Sequence, residues 1–222
     1  MANNASSVQE NGLLFVASDV DAADDADFNR WYDSEHVEER VRIPGFISGA
    51  RYFSAGGGRK YLGLYRTESL GAFQTEAYPA AFQRQTPWSV ENLGRMRDPI
   101  RRVCAVQSVT GFGSGSHLAV IFLPLETPAQ ILRDRALEIG KKIADIDGFV
   151  QSYLLSPDTA LSTPLPKEST DGRQLHPMFA VEASRADAID AAIGAASGIF
   201  DTDAAEAWRL SLGWKLHSAD LA

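Results

Sequence analysis

The sequence predicts an α+β fold of two tandem ferredoxin-like β-α-β-β-α-β units, packed together as one barrel-like domain. Three observations predict it. The order of predicted elements runs through twice. The first helix of each pass leads into the same shape, Ile-x-Gly-Phe, at 43–46 (IPGF) and 146–149 (IDGF). A glycine-serine run at 111–116 (GFGSGS) separates the passes and reads as a flexible linker.

The first pass opens with residues 13–20, short, apolar and rich in strand formers. Asp21, Asp24, Asp25 and Asp27 come next. Carboxylates suit a helix cap and first turn, where free N–H groups and the positive dipole end meet them. Phe28, Trp31, Tyr32 and Glu35 then recur at i, i+3, i+4, i+7, so the helix should run to about Arg42 and stop at Pro44-Gly45. Residues 46–55 form a second strand, and Gly56-Gly57-Gly58 turns it into a hairpin with 60–67. A second helical region covers 69–78. Pro79 and Pro87 break the next stretch, leaving space for another short helix. Residues 100–109 close the half.

The second pass repeats the order. Residues 118–123 are a strand, and Thr127-Pro128 starts a helix that runs through Ile143. Asp147-Gly148 ends it before the strand at 149–155. The loop at 156–174 is long and rich in Pro, Ser and Thr, and loops of this length are functional or mobile. A strand at 178–183, a helix at 186–196 and a strand at 208–217 complete the half. The expected organisation is a disordered tail over 1–11, halves at 12–110 and 117–222, and the linker between them. A four-stranded sheet with helices on one face must cover its other face. At about 25 cal/mol per Å2 of apolar area, two such faces gain many kcal/mol by packing together, with a cavity left between them.

Composition excludes several classes. The chain has 222 residues, 45% of them hydrophobic and 23% charged, with a formal charge of −8 and a pI near 5.0. Nucleic acid needs clustered positive charge, and only Arg95, Arg97, Arg101 and Arg102 come close. No apolar run approaches the roughly 20 residues that span a bilayer, so no membrane partner is expected. Residues 1–11 lack the pattern of a signal peptide. Cys104 is the sole cysteine, so no internal disulfide forms. A cytoplasmic protein is expected, with a small molecule as its partner. A homodimer stays open, because an internal pseudo-dimer can still pair.

The chemistry concentrates on the first helix. Four-residue steps put Phe28, Tyr32, His36 and Arg40 on one stripe. Histidine alone has an unperturbed pKa near neutrality, so His36 suits proton transfer. A histidine near a helix C-terminus can equally sit at the surface, favoured by the dipole. Tyr32 can donate a hydrogen bond, and Arg40 or Arg51 can hold an anion. Arg51 alternates with Gly49 and Phe53. It either lines the inter-sheet cavity and binds an oxyanion, or faces solvent as a surface charge. Gly49 and Gly63 would leave space in that cavity. Trp31, Tyr61, Tyr65 and Trp88 complete the expected substrate-binding set. His117, His176 and His217 show no metal-ligand spacing, and no metal or cofactor is expected. Gly56-Gly57-Gly58 precedes a strand, not a helix, which excludes a phosphate loop. Ser114 lacks the strand-to-helix turn of a nucleophile elbow.

Trp31-Tyr32-(x3)-His36, Ile43-Pro44-Gly45-Phe46, Arg51-Tyr52 and Lys60-Tyr61-Leu62-(x2)-Tyr65 resemble the EthD-like branch of the dimeric α/β-barrel superfamily. The resemblance covers about residues 12–110; the second half matches only in outline. It implies an intramolecular dimeric α/β-barrel with a cavity between sheet and helices, and a functional histidine at position 36. Its relatives include cofactor-free monooxygenases, cyclases, isomerases and haem-binding enzymes. Glu38 stands where the family has proline, and Ile139 stands where alignment on Gly148 would place a second histidine. One site is therefore expected, built by the first half and lidded by the second. The leading expectation is a cofactor-free lyase or isomerase acting on a small hydrophobic oxygenated substrate, aromatic or lactone-type. His36 would be the acid/base, with Tyr32, Arg51 or Tyr65 steadying an oxyanion. The rivals are a cofactor-free monooxygenase, a non-catalytic binding protein and, more weakly, a haem protein.

Overall fold

The protein is described by a computed structural model, which covers residues 10–221. Most of the expected N-terminal tail lies outside the described residues. Its last part does not hang free: Asn11 Nδ2 donates to the Thr67 carbonyl, and Val106 N–H donates to Asn11 O at 2.9 Å.

The first pass runs β1 (Gly12–Asp19), α1 (Asp25–Trp31), a π-helical turn (Tyr32–His36), α2 (Val37–Val41), β2 (Phe46–Gly56) and β3 (Tyr61–Thr67). A 3-10 turn (Leu70–Gln74), α3 (Ala77–Gln83), α4 (Pro87–Arg95) and β4 (Arg97–Gly111) complete it. The second runs β5 (His117–Phe122), α5 (Ala129–Ile143), β6 (Phe149–Pro157), β7 (Met178–Ala183), α6 (Ala186–Phe200) and β8 (Trp208–His217). Pro79, expected to break the stretch after the second helical region, lies inside a helix instead. It falls in the first turn of α3, where its missing N–H is not needed. Pro87 opens α4 at its first turn, capped by the Thr86 hydroxyl.

Eight strands close into one barrel in the order β1-β3-β2-β8-β5-β7-β6-β4, and every neighbouring pair is antiparallel. The single barrel is as expected; the cavity expected between two packed sheets is not found among the described residues. The edges β2/β8 and β4/β6 pair, so no edge stays open. An eight-stranded barrel is just wide enough for side chains to fill. Leu13, Phe15, Leu62, Leu118, Tyr153 and Met178 fill this one, each wholly buried.

The helices pack outside the barrel: α2 on β2, α5 on β4 and β6, α6 on β5 and β7. Two further cores fill these layers, one per half. The 111–116 connection is pinned: Gly115 N–H donates to Glu182 Oε2 at 2.9 Å, and Ser116 Oγ to the Ser184 carbonyl at 3.2 Å. The long loop is also tied down, across the outside of β4. Arg101 Nη1 donates to the carbonyls of Leu161 (2.8 Å) and Thr163 (3.0 Å), and Glu168 pairs with Arg102 and Arg173. These charges are buried, and each finds partners, which makes the loop a fixed wall. Among the described residues no helix is long and apolar enough to cross a membrane.

Candidate functional site

The site grows from the first helix. Its aspartates find partners: Asp27 Oδ2 accepts from Trp88 Nε1 (3.0 Å) and Arg95 Nη1 (2.6 Å), which ties α1 to α4 and holds the Asp27 carboxyl well below its usual range. At Tyr32 the helix widens. Val37 N–H bonds the Tyr32 carbonyl five residues back, a π turn. In a regular α-helix each four-residue step overshoots a full turn by about 40°, so three steps would carry Arg40 off the face that Phe28 occupies. The wider turn offsets that drift. Phe28, Tyr32, His36 and Arg40 are all buried, from 0% to 7% exposed.

His36 therefore is not a surface residue. Its ring lies 4.3 Å from Trp31 and 4.9 Å from Tyr32, centroid to centroid. Its Nδ1 has no hydrogen-bond partner among the described residues. Burial, then the positive charges of Arg40 and Arg51, push its pKa well below the ordinary 6.5. The imidazole is thus neutral at neutral pH, and its basicity is held down by burial and the two nearby cations. Trp31 forms its floor and is anchored by Nε1 donating to Ser89 Oγ at 3.0 Å. Tyr65 Oη donates to Tyr32 Oη at 3.2 Å, and burial pushes both phenols up, so both stay protonated.

Arg40 is 2% exposed, and Nε, Nη1 and Nη2 all lack a partner among the described residues. Its guanidinium lies 4.3 Å from the centroid of Phe82, on α3. Arg51 is different and corrects both alternatives left by the sequence. It faces neither an inter-sheet cavity nor solvent, but the outer sheet face beneath the first helix. There it is wholly buried, donating from Nη1 to Asp33 Oδ1 (2.6 Å) and from Nη2 to Asn29 Oδ1 (2.7 Å). The Tyr32 and Tyr61 rings flank it at 4.5 and 5.0 Å. With both terminal nitrogens taken, Arg51 fixes the helix on β2 and supplies charge to His36 from a distance. Gly49 and Gly63 do not open a cavity either. A Cβ on Gly63 would sit 2.3 Å from Tyr32 Oη, and one on Gly49 would sit 2.9 Å from Val37 and Val41. The glycines let the helix press into the sheet.

Tyr61 and Trp88 lie apart from the imidazole. Their polar atoms serve Asp25 and Asp27 at the start of α1.

Beyond Phe82 opens an apolar groove of about 320 Å3, with Val90, Leu93, Met96, Pro99 and Leu165 among its lining. Two walls come from α3 and α4, and one from the long loop of the second half. None of these residues stood out in the sequence. The only available signal was the i, i+3 spacing of Val90 and Leu93 with the length of the loop. A larger cleft, about 600 Å3, lies between Ile121–Pro124 and the turn after α6, with Asp201, Asp203 and Glu206 at its rim. Its histidine, His176, has both ring nitrogens engaged, by Leu123 O (3.0 Å) and Gln174 Oε1 (2.9 Å). Both nitrogens of that histidine are therefore occupied, whereas Nδ1 of His36 is not. Among the described residues no group of three or more His, Cys, Asp or Glu could hold a metal ion.

No protein-family model matches the chain, and no curated protein matches it. Solved structures do. An anthrone oxidase-like protein is 11% identical, with a TM-score of 0.62 over 95% of this chain and 94% of its own. A candidate monooxygenase from Lactobacillus acidophilus NCFM is 10% identical, with a TM-score of 0.58 over 95% and 97%. A candidate chlorite dismutase is 10% identical, with a TM-score of 0.51 over 96% and 97%. At these identities the likeness is one of fold alone.

Proposed function

We propose that this protein is a cofactor-free enzyme that removes a proton from a small hydrophobic oxygenated substrate, with His36 as the base. One observation carries the reading: a buried, neutral imidazole with an unpartnered Nδ1, one helical turn from an unpartnered guanidinium. A ring nitrogen takes a proton from a carbon next to a carbonyl, and the C–H pair moves to the carbonyl oxygen to give an enolate; from a phenol it takes the O–H proton and leaves a phenolate. The Arg40 charge and the protonated Tyr32–Tyr65 pair stabilise that anion in a water-poor setting. Arg51, already paired, holds the helix in place. Cys104 supplies no nucleophile, since burial pushes its thiol up and keeps it protonated.

Reprotonation or elimination from the enolate makes the enzyme an isomerase or lyase. The second reading is a cofactor-free monooxygenase, in which the same anion meets O2. It is favoured by the neighbours described as anthrone oxidase-like and as a candidate monooxygenase. A haem reading does not fit the residues present: His36 is wedged between aromatic rings, both nitrogens of His176 are engaged, and no histidine lines the groove beyond Phe82.

We read the chain as two ferredoxin-like halves, 12–110 and 117–222, the first close to the EthD-like branch. The strand runs β4-β1-β3-β2 and β6-β7-β5-β8 support this, each in the order of a split βαβ sheet. A cytoplasmic setting accords with the single buried thiol.

The test uses anthrone, whose ring CH2 next to the aromatic system is acidic. Deuterium exchange at that carbon is followed by NMR, with oxygen uptake measured alongside. His36→Gln should slow exchange by about 10²- to 10⁴-fold. An unchanged rate removes His36 as the base. Oxygen uptake in step with exchange assigns the monooxygenase; exchange without it assigns the isomerase or lyase.

A further inference from the structure

The arginines of this chain are not alike in their surroundings. Arg51, Arg101 and Arg102 are also buried, and each donates to oxygens: Arg51 to Asp33, Arg101 to the long loop and to Tyr78 Oη (3.0 Å), Arg102 to Glu168 and the Gln174 carbonyl (3.0 Å). Arg40 alone among them has no acceptor within the described residues. The carboxylates nearest in sequence accept no hydrogen bond from it: Glu38 pairs with Arg42 at 2.8 Å, and Glu39 only feels its charge. Glu35 Oε1 accepts from Thr86 Oγ1 (2.6 Å) and Ser89 Oγ (2.8 Å), and Glu39 Oε2 faces Ser89 Oγ at 3.5 Å. A buried cation without a partner costs several kcal/mol, so such a group marks a place where something else completes it.

We propose that Arg40 is the anion-binding subsite for the substrate, and that the substrate is a hydrophobic carboxylate whose apolar body occupies the groove between Phe82, α4 and Leu165. This rests on the proton-abstraction reading for the role of His36, and adds what the site selects. One guanidinium face lies against Phe82, and its buried nitrogens, which have no acceptor, offer their donors in plane, the fork that a bidentate acceptor matches once the ring moves aside. A carboxylate matches that fork. Phe82 separates the guanidinium from the groove and is 39% exposed, so its ring can turn outward to join the two spaces. The groove is lined mainly by aliphatic and proline side chains, which suits a flat apolar body rather than a sugar or a polyanion.

The test is a matched pair of probes, 2-naphthoate and the neutral 2-naphthalenemethanol. Binding to the full-length protein is read by quenching of tryptophan fluorescence, since Trp31 floors the site, and checked by calorimetry. Naphthoate should bind at least tenfold more tightly than the alcohol. Arg40→Met should bring the two within about twofold. Arg40→Lys, which keeps the charge but loses the fork, should retain only part of the preference and guards against a misfolded Met variant. His36→Gln should keep the preference for naphthoate while losing proton exchange. Equal affinity for the two probes, binding of neither, or an undiminished preference in Arg40→Met overturns the subsite. Loss of exchange without loss of preference leaves it standing, and exchange without any preference sinks it alone.

Discussion

The two layers between helices and barrel make an instructive pair. The layer of the second half is apolar: Leu132, Ala136, Ile139, Ile143, Ile189 and Phe200 seal it without a charge. The layer of the first half is filled instead by Trp31, Tyr32, His36, Arg40, Arg51 and Tyr65. Aligning Gly45 with Gly148 sets Ile139, Ile143 and Leu154 opposite His36, Arg40 and Arg51, and all three are 0–1% exposed. The barrel can evidently be closed at these positions by aliphatic side chains alone. The fold does not need the three cationic or titratable groups of the first layer. They cost stability there, which is the usual sign of a functional site.

The comparison breaks most sharply on an exchange of charges. Ile143→Arg should destabilise the protein by more than about 4 kcal/mol in denaturant melts, because nothing prepares that layer for a cation. The reverse change, Arg40→Met, should leave stability unchanged or raise it by about 1–3 kcal/mol, since an unpaired buried charge gives way to a similar volume of apolar atoms. If Arg40→Met destabilises strongly, Arg40 has a partner and the two layers are not different in kind.

Packing supplies the next contrast. Gly63→Ala drives a methyl group onto Tyr32 Oη and should cost about 1–3 kcal/mol while displacing the phenol pair. Gly94→Ala, on α4 with open space around it, should be neutral or stabilising by up to about 1 kcal/mol.

Acid should act on the first layer alone. In the unfolded chain the imidazole takes a proton near its ordinary 6.5, whereas buried His36 resists to well below that. Between the two values the unfolded state binds more protons, so the His36 contribution is fully present above pH 6.5. It falls as pH drops below 6.5, by up to about 1.4 kcal/mol per unit. His36→Gln should flatten stability between pH 6.5 and 5, measured by denaturant melts at each pH. Smallest in stability is Phe82→Ala, expected within about 1 kcal/mol because the ring is partly exposed, yet it should speed association of naphthoate.

Much of the architecture was legible because it is written locally. Period-two strands, the Gly56-Gly57-Gly58 hairpin and the paired Ile-x-Gly-Phe segments need no tertiary knowledge. The barrel was legible in outline, but the β2/β8 and β4/β6 pairings that close it were not, because they join segments far apart in the chain. In the site, the stripe from Phe28 to Arg40 was readable from four-residue steps, but the π turn that keeps it on one face was not. The role of Arg51 was hidden because Asp33 and Asn29 meet it only once helix and strand are in contact. The Phe82 groove was hidden for the same reason: α3, α4 and the loop at 158–177 are brought together by Arg101, Arg102 and Glu168, and nothing in their local sequence announces a wall.

The central claim is that the first layer holds a neutral imidazole beside an anion-seeking guanidinium. Titrating the ring resonances of His36 by NMR, assigned against His36→Gln, tests it most directly. The midpoint should lie well below 6.5 in the free protein and rise when 2-naphthoate neutralises Arg40. A midpoint at or above 6.5, unmoved by naphthoate, would show an ordinary solvated histidine and contradict it.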